Sequence, residues 1–457
     1  MTQIFALHSA YGLATAAAAI DEGLLGDGKT GASADRLLVP VVSSRVPETV
    51  VGIGADAALA PLRARFDRVD ELEALLGPLH PSGWEPDAVD LPWLERLFRR
   101  AWRLEGEIEL CVQSPQVAPA RTLMSLFPSA RITIIGDGLM TYAPMRVALP
   151  HTVAARIVRV VHADVVPGVA PLVASPTAKV VPVPAAAFGR VLGETDDGAP
   201  LVDDTGRPLD DGASTVLVLG QYLSALGLVS AREEIALQRD LVDRALAWRP
   251  DRIVFKPHPA APLLHTGAVR ERALAGGVEF AEYRGALAAE VLAARLGARG
   301  VVAAFSTALP TVRAVHGIPI GSVGTAALLR RLTPFENSNR LPLTLVDALT
   351  RKASPYAGPD RLTALVDAVG YAMQPRLARH LRERAAALLA ALPAEERERY
   401  FPIERLRDLG LPGAPDEGPV RRMLRSTGGT GRLEQLRLTA AGVRRRAGRV
   451  WRVMRGR

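Results

Sequence analysis

"LAAEVLAARLGARGVVAAFSTALPT", residues 287–311, contains one full unit of the chain's architecture. An Ala/Leu-rich helical stretch near 286–297 gives way to the apolar run 300–306, and Ser306-Thr307 then turns the chain toward another helix. Helix, short apolar strand and polar turn in succession are the pattern of βα units, whose strands lie parallel. The alternation continues in both directions. Ahead of this unit stand the strand candidates STVLVLG (214–220), RIVFK (252–256) and VEFAEY (278–283), with a helix near 230–248. After it come IPIGSV (318–323) and LTLVDA (343–348). A separate set fills the first half: IFALH (4–8), RLLVPVVS (36–43), EIELCVQ (107–113), RITIIG (131–136) and ARIVRVVHA (155–163). Between the sets lies GETDDGAPLVDDTGRPLDDG, residues 193–212. Its seven acids, four glycines and two prolines leave little apolar surface to bury, so it reads as an exposed linker. The expected organisation is two α/β domains, 1–190 and 214–375, joined by an acidic linker at 191–213, then C-terminal helices at 376–412 and a tail at 413–457.

The 457 residues are 48% hydrophobic but only 5% aromatic, which describes globular domains with Ala/Leu/Val cores. The one cysteine, Cys111, excludes an intramolecular disulfide framework and suits a reducing compartment. No uncharged run has the length and hydropathy of a membrane span, and the first apolar stretch has no basic residue ahead of it, so a cytoplasmic location is expected. The net charge of +8 is concentrated: Gly418 to Arg457 carries twelve arginines and one acid, +11, which leaves −3 for the rest. Val443, Val450, Trp451, Val453 and Met454 lie among those arginines. That composition suits peripheral contact with an anionic membrane surface; a disordered basic tail without a fixed partner is the alternative. Nucleic acid is not an expected partner, because the body has no basic surplus and the tail only one aromatic residue.

GLLGDGKT, residues 23–30, has the spacing of a phosphate-binding loop without its context. Such a loop joins a strand to a helix, whereas the segment before Gly23 is helical in pattern and a loop and strand follow. The glycines here are expected to cap a helix C-terminus. More informative are polar residues placed directly after apolar strands, the edge at which open parallel sheets bind ligands. In IIGDGLMTY (134–142), Asp137 stands between two glycines; in VLGQYL (218–223), Gly220 and Gln221 end a strand. RIVFKPHPAAP (252–262) sets Lys256 at a strand end and then holds His258 between Pro257 and Pro259, which restrict the backbone on both sides. Lys256 is one of only four lysines among 56 basic residues. Glu290 opens its helix, and Ser306-Thr307 supply hydroxyls and N–H groups at a strand-to-helix turn, a seat for phosphate. Each motif also has a plainer reading: an ordinary Asp-Gly turn at 137, prolines that merely end a strand around His258, a helix N-cap at Ser306 or Thr307.

In order along the chain, Gly136-Asp137-Gly138, His258-Pro259 and Ser306-Thr307 resemble the D/E-D/E-G, His-Pro and Ser-Ser/Thr motifs of the bacterial sialyltransferases, most closely the polysialyltransferase-like family of capsule enzymes. The resemblance spans about residues 1–400. It implies a GT-B fold, in which two Rossmann-like domains face each other across a nucleotide-sugar cleft, the first serving the acceptor. It also implies an inverting transfer, without metal or cofactor, of a sialic acid or related nonulosonic sugar from a CMP-activated donor to a cell-surface glycan or lipid-linked acceptor. Within that resemblance Asp137 is the base for the acceptor hydroxyl. His258 serves the departing CMP phosphate, and Lys256, Ser306 and Thr307 complete its cradle. Glu290 stands where the family carries a glutamate for the nucleotide, and Gly138, Gly220, Gln221 and Pro259 complete the substrate-binding set. One departure stands out: Gly136 occupies the place of the family's first acid, which leaves Asp137 without a neighbouring carboxylate. Lys-x-His-Pro followed by a Ser/Thr turn also resembles CDP-glycerol-type and Kdo transferases of teichoic acid and capsule synthesis. A non-catalytic membrane- or polymer-binding protein is the third reading, and it has no need of a carboxylate at 137.

Overall fold

The computed structural model describes residues 1–26, 34–42, 52–173, 177–225, 227–258 and 261–414. Among these, twelve strands pair in parallel in two sheets. The first sheet holds β1 (Thr2–Leu7), β2 (Asp35–Pro40), β3 (Arg68–Val69), β4 (Ile108–Val112), β5 (Arg131–Ile135), β6 (Ile157–Ala163) and β7 (Lys179–Val183), in the order β3-β2-β1-β4-β5-β6-β7. The second holds β8 (Thr215–Leu219), β9 (Arg252–Lys256), β10 (Glu279–Glu282), β11 (Gly300–Ala303) and β12 (Ile320–Ser322), in the order β10-β9-β8-β11-β12. Helices cover parallel sheets on both faces, so their strands are mostly apolar; every residue of β1, β4, β8 and β11 is buried. The strand order reverses between β1 and β4 and again between β8 and β11, and such switch points open a crevice at the strands' carboxyl ends. The fold is thus the expected pair of Rossmann-like domains, the GT-B architecture. Inside the first sheet a buried glutamate, Glu109, is fully satisfied across three neighbouring strands by Gln3 Nε2 (2.8 Å), Thr133 Oγ1 (2.6 Å) and Arg159 Nη2 (3.1 Å). That ladder is a structural use of charge.

Two sequence expectations change. LTLVDA is not a strand: Arg340–Thr350 is a helix, with Pro342 tolerated in its first turn. Nine of its eleven residues are buried, and Leu341, Leu343 and Leu345 alternate with Pro342 and Thr344 at the spacing of a strand. Edge strands β3 and β7 were not expected; β3 is two residues long, and Pro182 in β7 argues against a strand except at an edge, which is where β7 lies. The acidic linker is exposed over most of residues 193–212, yet it is fixed at several points. Leu201 and Leu209 are buried at 1% exposure, Val202 and Pro208 form an antiparallel bridge, and the fully buried Arg252 guanidinium binds Asp211 (2.8 Å) and Leu209 O (2.7 Å).

The C-terminal helices do not all stay with the second sheet. Arg340–Thr350 packs on β12 and also on the Gly138–Tyr142 turn of the first domain. The next helix, Pro359–Met373, lies on the first domain: Gly370 leaves no room for a Cβ against Leu172, and Pro359 meets Gly168. Residues 389–414 form a separate helical unit in which Arg397 Nη1 donates to Leu389 O (3.0 Å). The basic tail beyond Ala414 lies outside the described residues.

Candidate active site

The register Ala6↔Val112 sets the ends of β1 and β4 side by side, so His8-Ser9 and Gln113-Ser114 meet at the first switch point. Gln113 Oε1 accepts from the His8 N–H (2.8 Å) and Ser9 N–H (3.3 Å), and its Nε2 donates to Ser9 Oγ (3.0 Å). Ser9 is the N-cap of the helix Ala10–Asp21, its Oγ accepting from Gly12 N (3.1 Å). With two bonds accepted, the hydroxyl directs its single proton to Asp137 Oδ1, 2.9 Å away. Asp137 follows β5 in the turn that Thr141 Oγ1 closes by accepting from the Asp137 N–H (2.6 Å). Its Oδ2 has no hydrogen-bond partner among the described residues. Asp137 is half-buried, with one carboxylate oxygen held by Ser9 and the other without a partner among the described residues.

The two glycines flanking it differ in purpose. At Gly136 a Cβ would lie 2.9 Å from Thr141 Oγ1 and 3.0–3.2 Å from His162 Cβ and Cα, so the backbone has no space for the acid that the motif carries elsewhere. Gly138 takes φ +52°, and the Tyr11 ring covers it at 3.7–3.8 Å. Tyr11 lines one cavity together with Glu290 of the second domain. Its ring tilts against Phe188 at 4.7 Å, and its phenol is buried within electrostatic reach of Asp137, Glu290 and Thr311. Burial pushes that phenol far above its ordinary range, with Thr311 opposing and both carboxylates adding to the rise; the hydroxyl has no hydrogen-bond partner of good geometry.

On the second domain, Glu290 stands in the first turn of the helix Ala289–Arg295. Burial raises its carboxyl above the usual range, opposed by its own N–H and by Lys256. Lys256, at the end of β9, is not aimed at open space: Nζ donates to Gly285 O (2.9 Å) and lies 5.0 Å from the Tyr283 ring centroid, and burial holds its ammonium below the usual lysine range. It thereby pins the 283–288 loop that leads into Glu290. Gly220 is packed against Phe255 and Pro257, and Gln221 Oε1 accepts from Phe305 N across the second switch point. Gln221 is thus a tie between strand ends, as Gln113 is in the first domain. Beside it, Ser306 Oγ accepts from Ala308 N (3.2 Å), while Thr307 is exposed at the start of the helix Ala308–His316 with no side-chain cap bond. His258 is exposed at the mouth of β9, its carbonyl accepting from Ala261 N (2.9 Å); Pro259 lies outside the described residues. Gly23 caps the helix Ala10–Asp21 with φ +66°, as expected, and the rest of that loop motif from Asp27 to Thr30 is outside them too.

Glu290 and Tyr11 line a cavity of 510 Å³ whose walls also include Leu62 of the first domain, Thr195 and Leu201 of the linker, and Tyr283. Arg295 fixes the linker wall, donating to Asp196 Oδ1 (2.9 Å) and Ala199 O (2.8 Å). On the far side Arg65 binds both Glu194 (2.6 Å) and Asp21 (2.9 Å). A smaller crevice of 170 Å³ lies at the first switch point, where His8 Nε2 and Ser114 Oγ are 3.0 Å apart. Sequence reading missed Ser9, Tyr11, Gln113 and the linker wall; the one available signal was the Ser-Ala-Tyr that directly follows the apolar run of β1.

The model of the alpha-2,8-polysialyltransferase (POLYST) family matches residues 3–323. No curated protein matches the sequence. Among solved structures, the GT-B domain of a sialyltransferase from Photobacterium damselae is 11% identical, covering 76% of this chain and 96% of that one at a TM-score of 0.36. Acinetobacter baumannii MurG is 11% identical over 84% and 94% at 0.38, and a UDP-glucosyltransferase from Polygonum tinctorium 13% identical over 89% and 97% at 0.42.

Proposed function

The chain belongs to the alpha-2,8-polysialyltransferase family and is a glycosyltransferase of the sialyltransferase type; on that premise we propose that it moves a nonulosonic sugar such as a sialic acid from a CMP-activated donor to a cell-surface glycan or glycolipid acceptor, with inversion and without a metal or cofactor. The observation that carries this reading is Asp137, with Ser9's only proton fixed on Oδ1 and Oδ2 left open at the domain interface. The acceptor hydroxyl attacks the anomeric carbon while Asp137 Oδ2 takes its proton. The bond from that carbon to the phosphate oxygen breaks, and CMP leaves with the bonding pair. His258 and the N–H and hydroxyl groups of Ser306-Thr307 receive the charge that develops on the phosphate. Glu290, facing the 510 Å³ cavity, accepts hydrogen bonds from the nucleoside. Lys256 serves through the loop it holds and through its charge near Glu290.

Calorimetry of CMP, CDP and UMP binding without added metal tests the donor. CMP is expected to bind most tightly, His258→Ala to weaken that binding, and Asp137→Asn to retain it while abolishing turnover. Preference for CDP would transfer the site to a CDP-glycerol-type reaction, and no cytidine nucleotide binding at all would overturn the reading.

A further inference from the structure

We propose that the helix Leu91–Ala101 of the first domain is a membrane-docking face that lays Trp93 and Leu97 into the headgroup layer of an anionic bilayer. Trp93 is 73% exposed and Leu97 53%, one helical turn apart, and Val89 just ahead of the helix is 79% exposed. The helix spends its other face on the core, where Phe98 is buried against Trp84 and Trp102, and Leu91 and Leu94 pack. The exposed apolar pair is therefore an outer stripe left over after the core has been satisfied.

Arg96 and Arg100 flank that stripe at helical spacing, and Arg103 follows it; all three are exposed and have no acidic partner among the described residues. Arg99 is different, paired with Glu95 (2.9 Å) and placed 6.0 Å from the Phe127 ring. Asp87 and Asp90 sit at the helix entrance and the exposed Glu105 and Glu107 beyond its end, so the cationic surface is the stretch that holds Arg96 and Arg100. Trp93 and Leu97 beside these two arginines, neither paired with an acid among the described residues, match an anionic interface, where rings and aliphatic chains enter and guanidinium groups meet phosphates. A second copy of the chain is a poorer occupant, since two side chains on an eleven-residue helix fall far short of the ~800 Å² per partner of a stable interface. Among the described residues no helix is long and apolar enough to cross a membrane, so contact of this kind is made from the surface. The inference is independent of the donor's identity, and the face lies outside the basic tail.

The test uses the full chain. Cys111 is buried, so Leu97→Cys takes an environment-sensitive fluorophore alone, and Leu274→Cys, on an exposed position of the second domain, is the control. With vesicles of phosphatidylglycerol and phosphatidylcholine, the label at 97 is expected to shift to the blue and to be quenched by acyl-chain spin labels, while the label at 274 is not. Arg96→Gln with Arg100→Gln, or vesicles of phosphatidylcholine alone, should reduce the shift, and Trp93→Ser should weaken vesicle partitioning at least about tenfold at that label. A label at 97 that stays in water while the protein sediments with the vesicles would place all contact elsewhere and overturn the proposal. So would a shift that grows with protein concentration in the absence of lipid, which would make this face a contact between copies.

Discussion

Replacing Ser9 by alanine removes one oxygen and three hydrogen bonds: those from Gly12 N and Gln113 Nε2, and the one that fixes Asp137 Oδ1. The first two concern folding. Loss of an N-cap serine costs about 1 kcal/mol, whereas glycine at the same position costs only a few tenths. The third concerns catalysis. A hydrogen bond to a charged group contributes roughly 1.5–3 kcal/mol, and if that energy serves to hold Oδ2 on the acceptor hydroxyl, its loss lowers kcat about ten- to hundredfold. The two effects separate by comparing variants: Ser9→Ala and Ser9→Gly should lose similar amounts of kcat but differ in stability, with the affinity for CMP unchanged in both. Steady-state transfer assays alongside urea unfolding give all three numbers. Ser9→Ala turning over within twofold of the wild type, in a background where Asp137→Asn is inactive, would refute the positioning role.

Three other perturbations follow from the same packing. Gly136→Asp, which restores the motif's first acid, should destabilise the fold by about 1–3 kcal/mol in urea titration rather than add activity, because its Cβ would press on Thr141 and the His162 backbone. Burial raises the folded-state pKa of Glu290, so the folded chain holds that proton more tightly, and stability declines as pH climbs from the unfolded pKa through the folded one. Glu290→Gln should accordingly melt higher than wild type near pH 7 in scanning calorimetry, with the gap closing below the ordinary carboxylate range; a gap independent of pH would show that the charge is not its source. Asp211→Ala strips the buried Arg252 of its carboxylate and should make the 196–211 segment cleave faster under limited proteolysis, an outcome that unchanged cleavage would contradict.

The positions of Asp137, Lys256, His258, Gln221 and Ser306 at strand ends were legible because each apolar run stops at a polar residue, and one-dimensional patterning is enough to find such a stop. Their partners were not legible. Ser9 and Asp137 are separated by 128 positions, and only the adjacency of β1, β4 and β5 brings them together. Lys256 was placed correctly on β9, but nothing local says that its ammonium will donate to Gly285 O. The linker's exposure was legible in its seven acids, but its fixing was not: Arg65, Arg252 and Arg295, distant in sequence, pair with Glu194, Asp211 and Asp196, while leucines 201 and 209 find a core. The helix Arg340–Thr350 was missed because Leu341, Leu343 and Leu345 alternate with Pro342 and Thr344 as residues of a strand do.

The backbone passes between the two Rossmann-like domains twice, once through the acidic linker and again between Thr350 and Pro359, where the chain returns to lie on Leu172. A cut in the linker alone would therefore leave the second domain still joined, through residues 351–358, to the helix that packs on Leu172.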